Sequence, residues 1–174
     1  PWSDQTGFTI GALWNQRALT PALVTAGKMA LVAEKVMNKC DAIDGLEDGL
    51  IDDPRHCDIQ VAAEVPICPV ATDNDTCLTP AQADAIQKVY DGPADSNGQQ
   101  IFPGFEPGSE ALTAGFGGNV ASGWMGVIVP ATPGASSADF GLADNTMRYL
   151  VFQPPQPDYD YQEFDFNTDT QLLD

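Results

Sequence analysis

Positive charge is what this sequence has least of. Seven Lys and Arg stand against twenty-five Asp and Glu, a formal charge of −18 over 174 residues. Nucleic acid and anionic membranes are bound through clustered cations, so neither is an expected partner. Histidine is almost missing too. His56 is the single one, which excludes a multi-His metal centre and leaves His-based catalysis one candidate. No apolar run approaches the roughly 20 residues of a membrane span. An initiator Met and a signal peptide are both lacking, so Pro1 reads as the start of a mature or excised piece. No cysteines have CxxC spacing, and one His does not complete a zinc quartet. A phosphate-binding glycine loop is also missing: Gly115-Phe116-Gly117-Gly118 has no Lys-Ser/Thr after it and reads as a loop.

What is present is enough apolar material for a core, 43% of residues, so the acidity does not mean disorder. The charge is unevenly placed. The first forty residues hold two acids and four bases, whereas 41–58 holds seven acids and only Arg55 as a base. The tail 158–174 has six acids and no base, which reads as a solvated face. The four cysteines are Cys40, Cys57, Cys68 and Cys77. An even count without a metal pattern favours disulfides and an oxidising compartment. Three pairings are open, of which the nearest-neighbour one closes two small loops. Asn74-Asp75-Thr76 is a glycosylation sequon, of consequence only in a eukaryotic secretory host.

Residues 1–19 are mixed, with Trp2, Phe8 and Trp14 as packing anchors. Thr20-Pro21 reads as an N-cap followed by an N1 proline. The stripe Ala22, Ala26, Met29, Val32, Val36 then predicts a helix over about 21–39. Thr79-Pro80 repeats the device, with Gln82 completing a capping box and Gly92-Pro93 as the stop. From Asp91 to Gly126, glycine, proline and aromatics interleave, an ordered-loop composition. Gly126–Val129 suggests a short strand, and Ser136/Ser137 caps a third helix through Phe140 to Val151, interrupted near Gly141. The expected class is α+β, helix-leaning and loop-rich.

Cys40-Asp41-Ala42-Ile43-Asp44-Gly45-Leu46-Glu47-Asp48-Gly49-Leu50 carries the sharpest pattern. Glycine follows two of its three aspartates, allowing turns that fold carboxylates inward. Calcium takes six to eight oxygens. The side chains of Asp41, Asp44 and Asp48 with the carbonyls of Leu46 and Leu50 supply about five, and water completes the shell. The spacing is not that of an EF-hand. A solvated acidic turn is the other reading.

Four stretches carry a resemblance: Cys40–Cys57 (C-D-A-I-D-G-L-E-D-G-L-I-D-D-P-R-H-C), Cys77–Gln82 leading to Lys88–Pro93, Ile101–Glu110 (I-F-P-G-F-E-P-G-S-E), and Arg148–Phe152 before the acidic, aromatic tail. In this order they resemble the tannase and feruloyl esterase family of secreted α/β-hydrolases, which includes mono(2-hydroxyethyl) terephthalate hydrolases. Those enzymes have a hydrolase core interrupted by a large lid, and this chain looks like that lid. The resemblance implies one lid domain over 1–174, with 1–19 and 154–174 as connectors to a hydrolase core not contained in the chain. It implies structural calcium on Asp41, Asp44 and Asp48 and on the Leu46 and Leu50 carbonyls. It further implies the pairings Cys40–Cys57 and Cys68–Cys77.

Serine esterases need a nucleophile, a His base and an orienting acid. No G-x-S-x-G elbow occurs here, and no cysteine precedes a serine. His56-Cys57 spells the family's His-Cys dipeptide, but its surroundings match the calcium segment instead. A two-carboxylate glycosidase finds no identifiable pair across a cleft. No catalytic residue is therefore expected. A lid over an ester site presents aromatics to an acyl ring and a cation to a carboxylate. Trp124, Arg148 and Phe152 are the candidate contacts, for a hydroxycinnamate- or gallate-like ester. Core packing is the other reading for the two aromatics, and a salt bridge for Arg148. A stand-alone secreted calcium-binding module for an aromatic or carbohydrate ligand is the alternative to a lid.

Overall fold

The computed structural model describes residues 2–110, 123–132 and 134–173, with side chains from Asp4 onward. Pro1, the side chain of Trp2 and the 115–118 glycine stretch lie outside the described residues. The helices are α1 (Trp2–Leu19), α2 (Ala26–Cys40), α3 (Val61–Glu64), α4 (Pro80–Asp91) and α5 (Ala138–Thr146), the last continuing as a π-helical turn over Met147–Val151. Short 3-10 turns follow α2 and close the tail. Among the described residues there is no β-strand, only isolated bridges such as Ile67 with Leu78. The α+β expectation is therefore corrected to a helical, loop-rich domain. At 126–129 the reason is local. Val127, Ile128 and Val129 all point their N–H groups at the Trp124 carbonyl (3.2, 3.0 and 2.8 Å), so the apolar run coils into a turn instead of joining a ladder.

Residues 1–19, read as mixed, form the longest helix. It packs against both α5 and α4. A helix buried on two sides has no clean apolar stripe. Thr9, Asn15 and Gln16 are buried along with Ile10 and Leu13. Gln16 is satisfied there: its Oε1 accepts from the Ser137 N–H (3.1 Å) and its Nε2 donates to Thr20 Oγ1 (2.8 Å). The Trp14 indole donates to the Lys88 carbonyl at 2.8 Å, fixing α1 to α4.

The second helix begins later than expected. Leu23 sits at φ 52, a backbone conformation no helix contains, so Thr20-Pro21 ends the first helix region instead of opening the next. Thr25 is the N-cap, its Oγ1 accepting from the Lys28 N–H at 3.2 Å. The fourth helix starts as expected. Thr79 and Gln82 form a reciprocal capping box, with Gly92 beyond the end. The third expected helix runs straight through Gly141, and the chain leaves helical geometry at Phe152, ahead of Pro154-Pro155.

Two cores result. One gathers Met29, Val32 and Val36 of α2 with Ile86 and Val89 of α4, Trp124 and Ile128. The other joins Ile10 and Leu13 of α1 to Phe140 and Met147 and to Phe164 and Leu173 of the tail. Disulfides Cys40–Cys57 and Cys68–Cys77 staple the first. Lys28 is its unexpected anchor. Only 2% exposed, its Nζ donates to the Asn74 and Cys77 carbonyls (2.7 Å each) and pairs with Asp73 (2.7 Å). The two ends of the described chain meet, the Thr6 hydroxyl donating to the Leu173 carbonyl at 2.6 Å.

Candidate functional site

The acidic loop leaves the C-terminus of α2 as a single 3-10 turn, Asp41–Asp44, which Gly45 ends in a left-handed conformation at φ 98. Gly49 turns the chain again at φ 83. Asp41 Oδ1 reaches across the loop and accepts from the N–H groups of Asp48 (3.3 Å) and Gly49 (3.0 Å). Asp44 and Asp48 each cap their own turn, accepting from Leu46 N–H (2.8 Å) and Leu50 N–H (3.1 Å). These bonds all fall on Oδ1. The carbonyl oxygens of Leu46 and Leu50 accept no backbone bond among the described residues. Their side chains are 62% and 63% exposed, although leucine ordinarily buries. The loop is tied at its base by Cys40–Cys57. The carboxylates are not gathered: among the described residues no three acidic, His or Cys groups converge as a metal cluster.

Beyond the loop, Asp53 caps the turn Pro54–His56 and grips the Arg55 guanidinium through two bonds of 2.7 and 2.6 Å. Those bonds hold the Asp53 carboxyl down at about 2. His56 lies 3.7 Å from the same carboxylate and is 71% exposed. No nucleophilic hydroxyl donates to it among the described residues.

The three candidate substrate contacts are not brought together. Trp124 belongs to the first core, 3% exposed, its ring 5.1 Å from Tyr90 and its Nε1 donating to Ser109 Oγ at 3.1 Å. Phe152 belongs to the margin of the second core, where it packs on Tyr159 at 5.0 Å. Arg148 is bonded to Asp144 Oδ2 through Nε (2.7 Å) and to the Pro157 carbonyl. The Asp144 bond is the main reason that its pKa rises above the ordinary value.

One polar pair escaped the sequence reading. Glu110, 1% exposed, accepts from the Tyr90 hydroxyl at 2.7 Å and the Gly108 N–H at 2.9 Å. Burial, reinforced by this carboxylate, pushes the Tyr90 phenol well above its usual range. The only hint was an acid among the Gly, Pro and Phe of Ile101–Glu110, a composition that marks a packed loop.

A family model described as tannase and feruloyl esterase matches residues 6–173. The chain belongs to the tannase and feruloyl esterase family. A probable feruloyl esterase B of Aspergillus clavatus is 29% identical over 94% of this chain, and a probable feruloyl esterase B-2 of Aspergillus terreus is 31% identical over 88%. An uncharacterized esterase of Xanthomonas campestris is 30% identical over 90%. This chain spans only 30%, 25% and 26% of those relatives' lengths. Among solved structures, an esterase from Aspergillus oryzae matches with a TM-score of 0.70 at 22% identity, covering 98% of this chain and 30% of its own. Feruloyl esterase B from the same species matches at 0.64 and 24% identity, over 96% of this chain and 31% of its own. The likeness to both structures is one of fold. Among the described residues of this tannase-family chain, no helix is long and apolar enough to cross a membrane.

Proposed function

We propose that this chain is the lid domain of a secreted, feruloyl esterase-like carboxylic ester hydrolase. In that role it covers the active site of an α/β-hydrolase core, shapes the pocket for an aromatic acyl group and is not catalytic alone. The observation that carries the reading is the disproportion of the matches. Residues 6–173 match the family, yet the chain spans about a third or less of its relatives and contains no serine elbow. The meeting of the chain ends at Thr6 and Leu173 supports it, because an inserted domain leaves and re-enters its host at one place. The two disulfides suit an oxidising, extracellular or periplasmic compartment.

Calcium on loop 41–50 is part of the proposal. Asp41, Asp44 and Asp48 with the Leu46 and Leu50 carbonyls would hold it, and a bound ion would draw together and neutralise carboxylates that otherwise stand apart. Arg148 and Phe152 are the side chains we assign to the acyl end of the ester; Trp124, enclosed by Tyr90 and Phe105 in the other core, is given no contact there. The test is turnover. The pure chain should not hydrolyse a p-nitrophenyl or ferulate ester, and the coding sequence should place a serine elbow before Pro1 and an Asp/His segment after Asp174. Turnover by the pure chain, or flanks of another kind, would sink the reading.

A further inference from the structure

An open cavity of about 350 Å³ lies between α1 and the loop that follows α4, away from the acidic loop. Its walls are the half-exposed rings of Phe8, Phe102 and Phe105. Its floor is the Gly7/Gly11 face of α1. The two glycines differ. A Cβ on Gly7 would lie 2.2 Å from the Phe102 ring, so packing demands glycine there. A Cβ on Gly11 would meet nothing within 4 Å. Glycine inside a helix lowers its stability relative to alanine. At Gly11 no contact among the described residues accounts for that loss, and the open side of the residue is the cavity.

The walls are held in place before anything binds. Phe105 N–H donates to the Val89 carbonyl at 3.0 Å, and Gly104 lies so close to α4 that a Cβ would sit 2.1 Å from the Tyr90 carbonyl oxygen. Asp139, 6% exposed, also lines the cavity. Two of its bonds, from Ser137 Oγ (2.6 Å) and Phe140 N–H (2.7 Å), fall on Oδ1. The Asn15 side chain also approaches the carboxyl, and a carboxylate has lone pairs for a further donor. Among the described residues the other charged group in the lining is Asp4, and no Lys or Arg is there.

We propose that this cavity binds a single aromatic ring bearing a hydrogen-bond donor, uncharged or cationic, with the ring between the phenylalanines and the donor on Asp139. Aromatic carboxylates are excluded by the two acids. The site is independent of the ester-hydrolase reading and of calcium.

The test is an NMR titration of the full chain with p-cresol, toluene and 4-methylbenzoate. Millimolar p-cresol should shift the Gly7, Gly11 and Phe105 amides saturably. Toluene should bind at least tenfold more weakly, and 4-methylbenzoate should not bind. Gly11→Leu grows into the floor from a Cβ that meets nothing within 4 Å, so it should abolish the p-cresol shifts while the melting temperature holds or rises. Asp139→Asn should narrow the gap between p-cresol and toluene. Unsaturable shifts, undiminished binding in Gly11→Leu, or 4-methylbenzoate binding as well as p-cresol would each overturn the assignment.

Discussion

Replacing Lys28 with Met isolates the anchor of the second disulfide loop. The substitution keeps an unbranched chain of similar volume, so no large cavity opens. What is lost is the ammonium, which donates to the Asn74 and Cys77 carbonyls at 2.7 Å each from a side chain only 2% exposed. A hydrogen bond from a charged donor contributes about 1.5–3 kcal/mol, and its loss leaves a carbonyl short of a partner. Two such bonds put the loss at roughly 3–6 kcal/mol. Asp73 adds nothing reliable to that figure, because its carboxylate is 57% exposed and screened. For a domain of this size the loss corresponds to a fall in Tm of roughly 6–24 °C. Thermal unfolding followed by far-UV circular dichroism reads it. Asp73→Asn is the control and should move Tm little. A Lys28→Met loss below about 1 kcal/mol, within the range of ordinary surface changes, would refute the claim that Lys28 secures this loop.

Removing calcium with EGTA should lower Tm, by up to about 2.7 kcal/mol of stability if the ion had been at a hundred times its Kd. Asp44→Ala should reproduce the shift and abolish the response to EGTA; a Tm indifferent to both would dismiss the calcium assignment. Thr79→Ala removes one half of the capping box and should cost about 1 kcal/mol in urea unfolding. Tyr159 titrates abnormally, pushed up from 10 to about 12, first by burial and then by Asp169. The unfolded chain loses that proton sooner, so stability present below pH 10 should drain away as the pH rises towards 12. Tyr159→Phe should flatten this alkaline loss and cost nothing at neutral pH, since the hydroxyl is buried without a partner among the described residues. An unchanged alkaline slope would assign the loss elsewhere.

Features contained within a few residues were legible. The Thr79/Gln82 box and the Gly92 stop depend on neighbours along the chain, and both were read in place. The disulfide pairing needed more than spacing, because three pairings were open until the family resemblance chose the one found. The acidic loop was legible as a set of donors but not as a geometry. Each aspartate first satisfies nearby N–H groups, and no pattern in the sequence indicates how far the carboxylates then stand apart.

The reading failed where a distant partner decides burial. The first helix looked mixed because it is covered on two sides, and its buried Gln16 is matched to Ser137, 121 residues away. Nothing beside Lys28 in the sequence marks it for burial; the 73–77 loop, more than forty residues on, closes over it. Trp124 had the composition of a ligand contact, but the rings of Tyr90 and Phe105 enclose it. By itself, then, the sequence determined the Thr79/Gln82 box, the Gly92 stop and the family motifs, each written in residues close along the backbone, whereas the Thr20-Pro21 cap was overruled by the turn at Leu23. The tertiary structure alone decided which polar groups are buried, which aromatics are core and where a cavity remains. Those outcomes depend on what packs from the far end of the chain, and the free energy of a side chain depends on that enclosure more than on its own chemistry.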